Sequence, residues 1–451
     1  MSQHFGSGNP EVFPCTGWMW SDAVMPQRII RDESVALDDL TGLVSLTELT
    51  SSPDQEAAYA ALHAQWGPVA PVEIESVGDA VVPGWLVLGH QENCHVMRSE
   101  AQFAKDPRTW RWNQEDLLPP GTAISTFAPA EPRPASFHHD GEERRRLREP
   151  LDDALAALDE RRVREQTRDM CARIIDRMGE SGSTDLVRAY CQPAGFLAMT
   201  TLLGFDLETG GRLMTDSATV VVGDGDEVAA AQARVAGTIL EHITRRRAHG
   251  GKDLVAHMAV HPNFAHDGEI AASAVVPMHA AAIFLTAWIT QTVHLVLSDR
   301  TLAARVAGGR ITLDGALDEV LWRESPIAQS PALRFARNDV ELGGRLIRQG
   351  DALVLSIAAA NADPAVHSDD PWDEVDNRAH LSWGTGLHRC PAPRQARLIA
   401  GVAVDELLRN MDVTLHVPDE GLPWAPSPWV RHPARMPVTY RRATMSGTET
   451  D

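Results

Sequence analysis

Apolar residues recur every three to four positions through most of this chain, the period of an amphipathic helix. The period is sustained over residues 56–66, 142–155, 160–178, 186–203 and 227–247, and a short helix is expected over 91–97. It returns in the C-terminal part, where Ala396, Ile399, Ala400, Ala403 and Leu407 share one face. Strand signals are few. Residues 72–75 and 84–89 predict a hairpin, and residues 340–347 and 352–357 predict two strands about a Gly350-Asp351 turn. The pattern is that of a mainly α chain with a small β-rich part.

Two stretches break the amphipathic rule. Residues 271–290 contain no Asp, Glu, Lys or Arg and are about long enough to cross a bilayer. Pro277 and His279 sit inside the stretch and no aromatic and basic flanks bracket it, so it reads as a core helix that is apolar all round. Residues 107–134 are rich in Pro and Trp without any period, and a loop this long tends to serve function. Residues 1–50 look like an irregular leader, and 443–451 like a polar, frayed tail.

Composition narrows the partners. A chain of 451 residues, 43% hydrophobic, can bury a large core, and length alone suggests two or three domains. A net charge of −21 argues against nucleic acid or an anionic membrane as the main partner. Cys15, Cys94, Cys171, Cys191 and Cys390 are scattered without a CxxC pair, as expected of a reducing cytoplasm. The first ten residues lack the basic start and apolar run of a signal peptide.

The run 381–394, Leu-Ser-Trp-Gly-Thr-Gly-Leu-His-Arg-Cys-Pro-Ala-Pro-Arg, sets one cysteine between a glycine-rich loop and a helix start. Gly384 and Gly386 permit tight turns and close approach to a flat cofactor. Amides at the helix start favour a thiolate at Cys390, and Pro391 and Pro393 are tolerated in a first turn. A lone cysteine is more often simply buried. In this setting it suits an iron ligand, and thiolate ligation of haem iron promotes O–O cleavage.

The order Trp383, Gly384, Gly386, His388, Cys390 resembles the cysteine loop of the cytochrome P-450 family, with Ala392 where the family often has Gly. The resemblance extends over about residues 55–441. It implies a mainly α cytochrome P-450 fold: a single domain over 51–442, made of a large helical part and a small β-rich subdomain. It also implies heme b (iron protoporphyrin IX) held by Cys390. The haem propionates would fall to Arg144 and Arg148, which match the family's His-xxx-Arg positions one turn apart, to Arg334, and to His388. Trp383, Gly384 and Gly386 complete the expected cofactor set. Arg145, Arg146, Arg389, Arg394 and Arg397 would form a basic face for an acidic ferredoxin, which with its reductase supplies electrons.

Two departures bear on the chemistry. Where the family has Glu-xx-Arg, this chain has Glu319 and Trp322, an indole with one donor in place of a planar cation; some actinobacterial members share Glu-xx-Trp. Where the family has Ala-Gly-x-acid-Thr, the best register gives Phe284 for the acid and Leu285 for the threonine, with Thr286 one position late. Phe284 and Thr286 are therefore the candidate catalytic positions. The usual acid and alcohol that relay protons for oxygen activation are missing together.

The resemblance places Trp110, Ile327, Ser330 and Trp429 against the substrate. Twelve tryptophans against three tyrosines permit stacking on a flat molecule. The expected function is that of a soluble, cytoplasmic haem-thiolate oxidase or monooxygenase in secondary metabolite biosynthesis. It would use O2 to hydroxylate an aromatic natural product or to couple it through C–C or C–N bonds, as members acting on tyrosine- or tryptophan-derived cyclic dipeptides do. The alternative is a haem-binding sensor or binding subunit without monooxygenase turnover.

Overall fold

The helices begin where the sequence supplies a cap. Asp54, Asp159, Asp253, Asp299 and Thr312 each accept a first-turn amide, opening the helices Gln55–Trp66, Glu160–Met178, Leu254–Ala259, Arg300–Ala307 and Leu313–Arg323. In the computed structural model, which describes residues 36–222, 225–367, 378–418 and 421–443, these helices stack around one another. Val163, Thr167, Met170, Cys171, Ile174 and Ile175 form the buried stripe of Glu160–Met178, which packs on Pro393–Asn410. The apolar stretch becomes the central helix. It runs from Asp267 to Ser298, and every residue from Thr286 to Val293 is buried among its neighbours.

Two helices contain an extra residue. Val187–Cys191 and Ala281–Leu285 are π turns, one at the head of the Gln192–Leu202 helix and one in the middle of the central helix. Neither is visible as a change of hydrophobic period, because a π turn adds one residue to one turn and then restores the register.

A mixed sheet lies beside the helices. Its strands run in the order Val44–Ser45, Val69–Val77, Ala80–Val87, Ala352–Ser356, Gln329–Ala336 and Phe103–Ala104. The expected hairpin forms between Val69–Val77 and Ala80–Val87; the first strand outruns its sequence signal at both ends, and the second starts before its signal and ends at Val87. Residues 340–347 are not one strand: Val340–Leu342 and Arg345–Ile347 pair with each other across Gly343 and Gly344, both at positive φ. Ala352–Ser356 instead joins the main sheet.

The leader is shorter than its composition suggests. Residues 1–35 lie outside the described residues, but Leu46–Ser51 is a helix with Leu46, Leu49 and Thr50 buried, and Val44–Ser45 pairs with Val72 and Glu73. Of the polar tail only Ala443 is described. The long 107–134 segment contains short helical turns at Pro107–Thr109, Arg111–Gln114 and Ala123–Thr126.

Candidate functional site

A cavity separates the central helix from the loop ahead of Pro393–Asn410, and Cys390 lines it. The loop is closed by the Cys390 amide, which donates to the Trp383 carbonyl at 2.8 Å. Gly384 and Gly386 have φ of 62° and 73°. At Gly386 a Cβ would stand 2.5 Å from the Met97 carbonyl oxygen, so no side chain fits between the loop and the His90–Arg98 helix. Trp383 meets Trp288 of the central helix edge-on at 5.3 Å, and Trp288 Nε1 donates to the Leu317 carbonyl. The cysteine is thus fixed against the central helix through two indoles.

Burial pushes the Cys390 thiol up, opposed by the Ala392 amide and the Arg148 charge. The helix start alone does not favour a thiolate as the sequence suggests. The helix begins at Pro393, and two of the four residues from Pro391 to Arg394 have no N–H to offer. A coordinated cation would supply what the backbone does not, since a metal deprotonates a bound thiol outright.

The cavity rim is cationic. Arg148, Arg334 and His388 line it, together with Trp383 and Gly384; Gly386 sits behind, against Met97. Lys105, which no motif marks, joins them. It is 2% exposed and lies 3.9 Å from the Phe137 ring centroid. Its only sequence signal is a lysine set between the apolar pair Phe103-Ala104 and an Asp-Pro turn. Burial lowers Lys105 well below its ordinary value, with Arg334 adding repulsion, and burial brings Arg334 to about 10. Arg334 donates to the Ala332 and Leu333 carbonyls, and Arg148 to Asp152 at 2.7 Å.

No carboxylate is among the described residues that line this space. Crowded, desolvated cations that Asp140, Glu100 and Asp152 offset only from behind the lining are costly, and a flat ligand bearing two carboxylates would relieve them. The residues present therefore fit a haem. Arg144 takes a different place: its guanidinium donates to the Leu387 carbonyl and it does not line the cavity. It braces the cysteine loop from outside, because the helix turn that brings Arg148 inward brings Arg144 under the loop.

His388 is held by two acids, Asp140 at 3.2 Å and Glu100 at 3.3 Å. Asp140 also accepts the Lys105 and Asp106 amides and pairs with Arg337 at 2.8 Å. Burial alone would raise the Asp140 carboxyl; the His388 bond and the two amides bring it down to about 2.

On the distal side the wall is Pro277, Ala280, Ala281, Phe284, Leu285 and Trp288, one face of the central helix. Phe284 is on the cavity as expected, but Thr286 is not. Its hydroxyl donates to the Ala281 carbonyl at 3.1 Å and faces Gly195, where a Cβ would come within 3.0 Å of Oγ1. The π turn ends at Thr286, which leaves this side chain on the packed flank. Ile327 and Ser330 line the cavity. Trp110 does not: it is 1% exposed and stacks on Phe335 at 5.6 Å, in the sheet core. Trp429 stands one layer back, edge-on to Phe127 at 5.5 Å.

Trp322 fills its place with aromatic contacts, edge-on to His367 at 5.3 Å and His380 at 5.6 Å. Glu319 pairs with Arg305 at 2.7 Å. The buried charge in this region belongs to the preceding residue, Asp318, which holds Arg397 at 2.5 Å and Arg378 at 3.1 Å. Arg397 is therefore not part of an exposed basic face, and Arg146 is neutralised by Glu143 and the buried Glu269. Arg145, Arg389 and Arg394 are exposed, as is Leu387 at 55%.

No family model matches the chain. It is 28% identical over 366 residues to Nocardicin C N-oxygenase of Nocardia uniformis subsp. tsuyamanensis, covering 79% of this chain and 89% of the relative. It is 28% identical over 411 residues to the cytochrome P450 monooxygenase PikC of Streptomyces venezuelae, covering 88% and 94%. Among solved structures, CYP154A1 from Streptomyces coelicolor A3(2) superimposes with a TM-score of 0.70 at 25% identity, covering 88% of this chain and 99% of that one.

Proposed function

The chain belongs to the cytochrome P450 family, an oxidoreductase with heme b as cofactor, and from that premise we propose that it oxidises a small aromatic metabolite above Cys390. Heme b, when bound, supplies an iron that activates dioxygen for insertion or for one-electron oxidation. Cys390 Sγ would hold its iron. Arg148, Arg334, Lys105 and His388 would hold the propionates, with Asp140 fixing His388 in turn. Phe284, Leu285 and Ala281 form the wall opposite Cys390 and keep bulk water from it. The reading rests on one observation: Cys390 and a carboxylate-free rim of buried cations share one apolar cavity.

The same wall bears on the reaction. It offers no carboxylate or hydroxyl from the central helix, so proton delivery falls to the substrate or to water that enters with it. This favours oxidation of an aromatic or N–H group, by hydroxylation or by C–C or C–N coupling, over attack on an unactivated chain. Electrons come from an acidic ferredoxin and its reductase, for which Arg145, Arg389, Arg394 and the exposed Leu387 form the docking face. The compartment is the cytoplasm. Turnover with ferredoxin, reductase, labelled dioxygen and a panel of indole and phenol metabolites tests the proposal. Labelled or coupled product supports it, whereas reductant consumption without product across the panel sinks it.

Thr286 separates this site from the family's usual arrangement. Thr286→Val is expected to cost about 1 kcal/mol of stability, the worth of one buried hydrogen bond. The ratio of product formed to reductant consumed should stay within about twofold of the parent, because the hydroxyl faces Gly195 and not the cavity. A large rise in uncoupled reductant consumption would show that Thr286 does act at the site.

A further inference from the structure

A second, smaller space adjoins the Cys390 cavity on its distal side. Phe137, Val276, Ala280, Phe284 and Pro331 line both, so the two volumes share one wall. The adjoining space is largely apolar, but Arg133, His138 and His279 also line it.

His138 is 3% exposed, and neither ring nitrogen makes a hydrogen bond of good geometry, the Arg133 carbonyl alone lying near the ring. The nearby Arg133 carbonyl is already taken by His139 Nε2 at 3.1 Å and the Ala135 amide at 2.7 Å. A buried imidazole without a partner is a standing cost that a ligand can remove. Burial brings His138 down to about 3, with Lys105 and Arg133 adding repulsion, and brings His279 to about 4. Each is therefore a neutral imidazole near pH 7, with one N–H to donate.

Arg133 carries the permanent charge. It stands exposed at the mouth, and no carboxylate among the described residues lies within ion-pair distance. Desolvation lowers its pKa with no acid to offset it. Neutral imidazoles alone would suit an amide or an alcohol; the unpaired guanidinium decides for an anion, since its planar fork matches a carboxylate.

We propose that this space is a carboxylate-binding subsite, in which an acidic group of the substrate pairs with Arg133 and accepts from His138 while the apolar body passes Phe284 toward Cys390. The proposal rests on the reading of the Cys390 cavity as the place of oxidation. It adds the substrate class, an aryl or alkyl carboxylic acid, and its orientation, with the acid remote and the opposite end presented for oxidation.

The test uses the haem-loaded full chain and three pairs of probes: phenylpropionate, indolylpropionate and decanoate, each with its methyl ester. Affinity is read from the Soret shift and, independently, by calorimetry. The acids should bind about tenfold tighter than their esters, the worth of one charge-assisted contact. Arg133→Gln should abolish that preference while the esters bind as before. His138→Leu should weaken acid binding, and His138→Asn, which keeps a donor, should restore part of it. Equal affinity of acid and ester in all pairs, absence of binding by either included, overturns the proposal, as does a preference that survives Arg133→Gln. Failure of the underlying reading shows elsewhere, as a carbon monoxide complex lacking a thiolate band, and leaves the calorimetric comparison readable.

Discussion

Cys390→Ser and Cys390→His should both lose the red-shifted Soret band that marks the carbon monoxide complex of a thiolate-held haem, and turnover should fall below about one thousandth of the parent. Both variants should still bind haem, because the propionate partners Lys105, Arg148, Arg334 and His388 are untouched and the cavity wall is intact. The pair of results matters more than either alone. Retained haem with a lost band assigns the ligand to Cys390, whereas retention of the band would assign it elsewhere. Cys171 and Cys191 are poor rivals, being buried in the helical core with thiols pushed up to about 12. Optical spectra of the reduced, carbon monoxide-treated variants decide the point, with haem content measured on the same samples.

Asp140→Ala is expected to be the most destabilising single change near the rim, costing about 3 kcal/mol or more. It strands the Lys105 and Asp106 amides, leaves Arg337 without its acid and frees His388 to turn. The parent's pH dependence carries the same information. The folded Asp140 carboxyl, at about 2, lies below its ordinary value of 3.8, so its contribution is fully present above about pH 4. That contribution, about 2 kcal/mol, is lost as pH falls from about 4 to about 2, and Asp140→Asn should flatten this part of the acid limb. Urea midpoints at a series of acidic pH values check it; equal midpoints for parent and Asp140→Ala at neutral pH would remove Asp140 as the hub.

Much of the fold was legible in the chain because its signals are local. The 160–178 helix has a single buried stripe and an Asp159 cap, so both its face and its start were readable. Cys390 was readable for a similar reason: its loop depends on two glycines and a turn contained within a few residues. What escaped depends on the third dimension. Lys105 and Asp140 are far from the cysteine in sequence, and their role appears only when Phe103–Ala104 pairs with Gln329–Ala336 and brings Arg334 alongside. Trp110 and Trp429 carry no mark that separates a cavity wall from the layer behind it. Thr286 was misplaced because a π turn cannot be seen in a helical period, yet it sets which side chains face inward. The 340–347 hairpin is hidden because Gly343-Gly344 interrupts no apolar alternation and its turn shows only in the positive φ of both residues.

The π turn at Ala281–Leu285 has a consequence for how such a chain can diverge. The segment beyond it, Thr286 to Val293, is locked on all sides by the helical core and tolerates little change. The segment before it, Asp267 to Ala280, is only partly enclosed and contributes Val275, Val276, His279 and Ala280 to the adjoining space. An extra residue looped out between them acts as a clutch: descendants can gain or lose a residue, or exchange side chains, on the ligand side without turning the core side out of mesh. Variation in what the protein accepts is therefore expected to concentrate between Ala271 and Leu285 while the residues that follow stay constant.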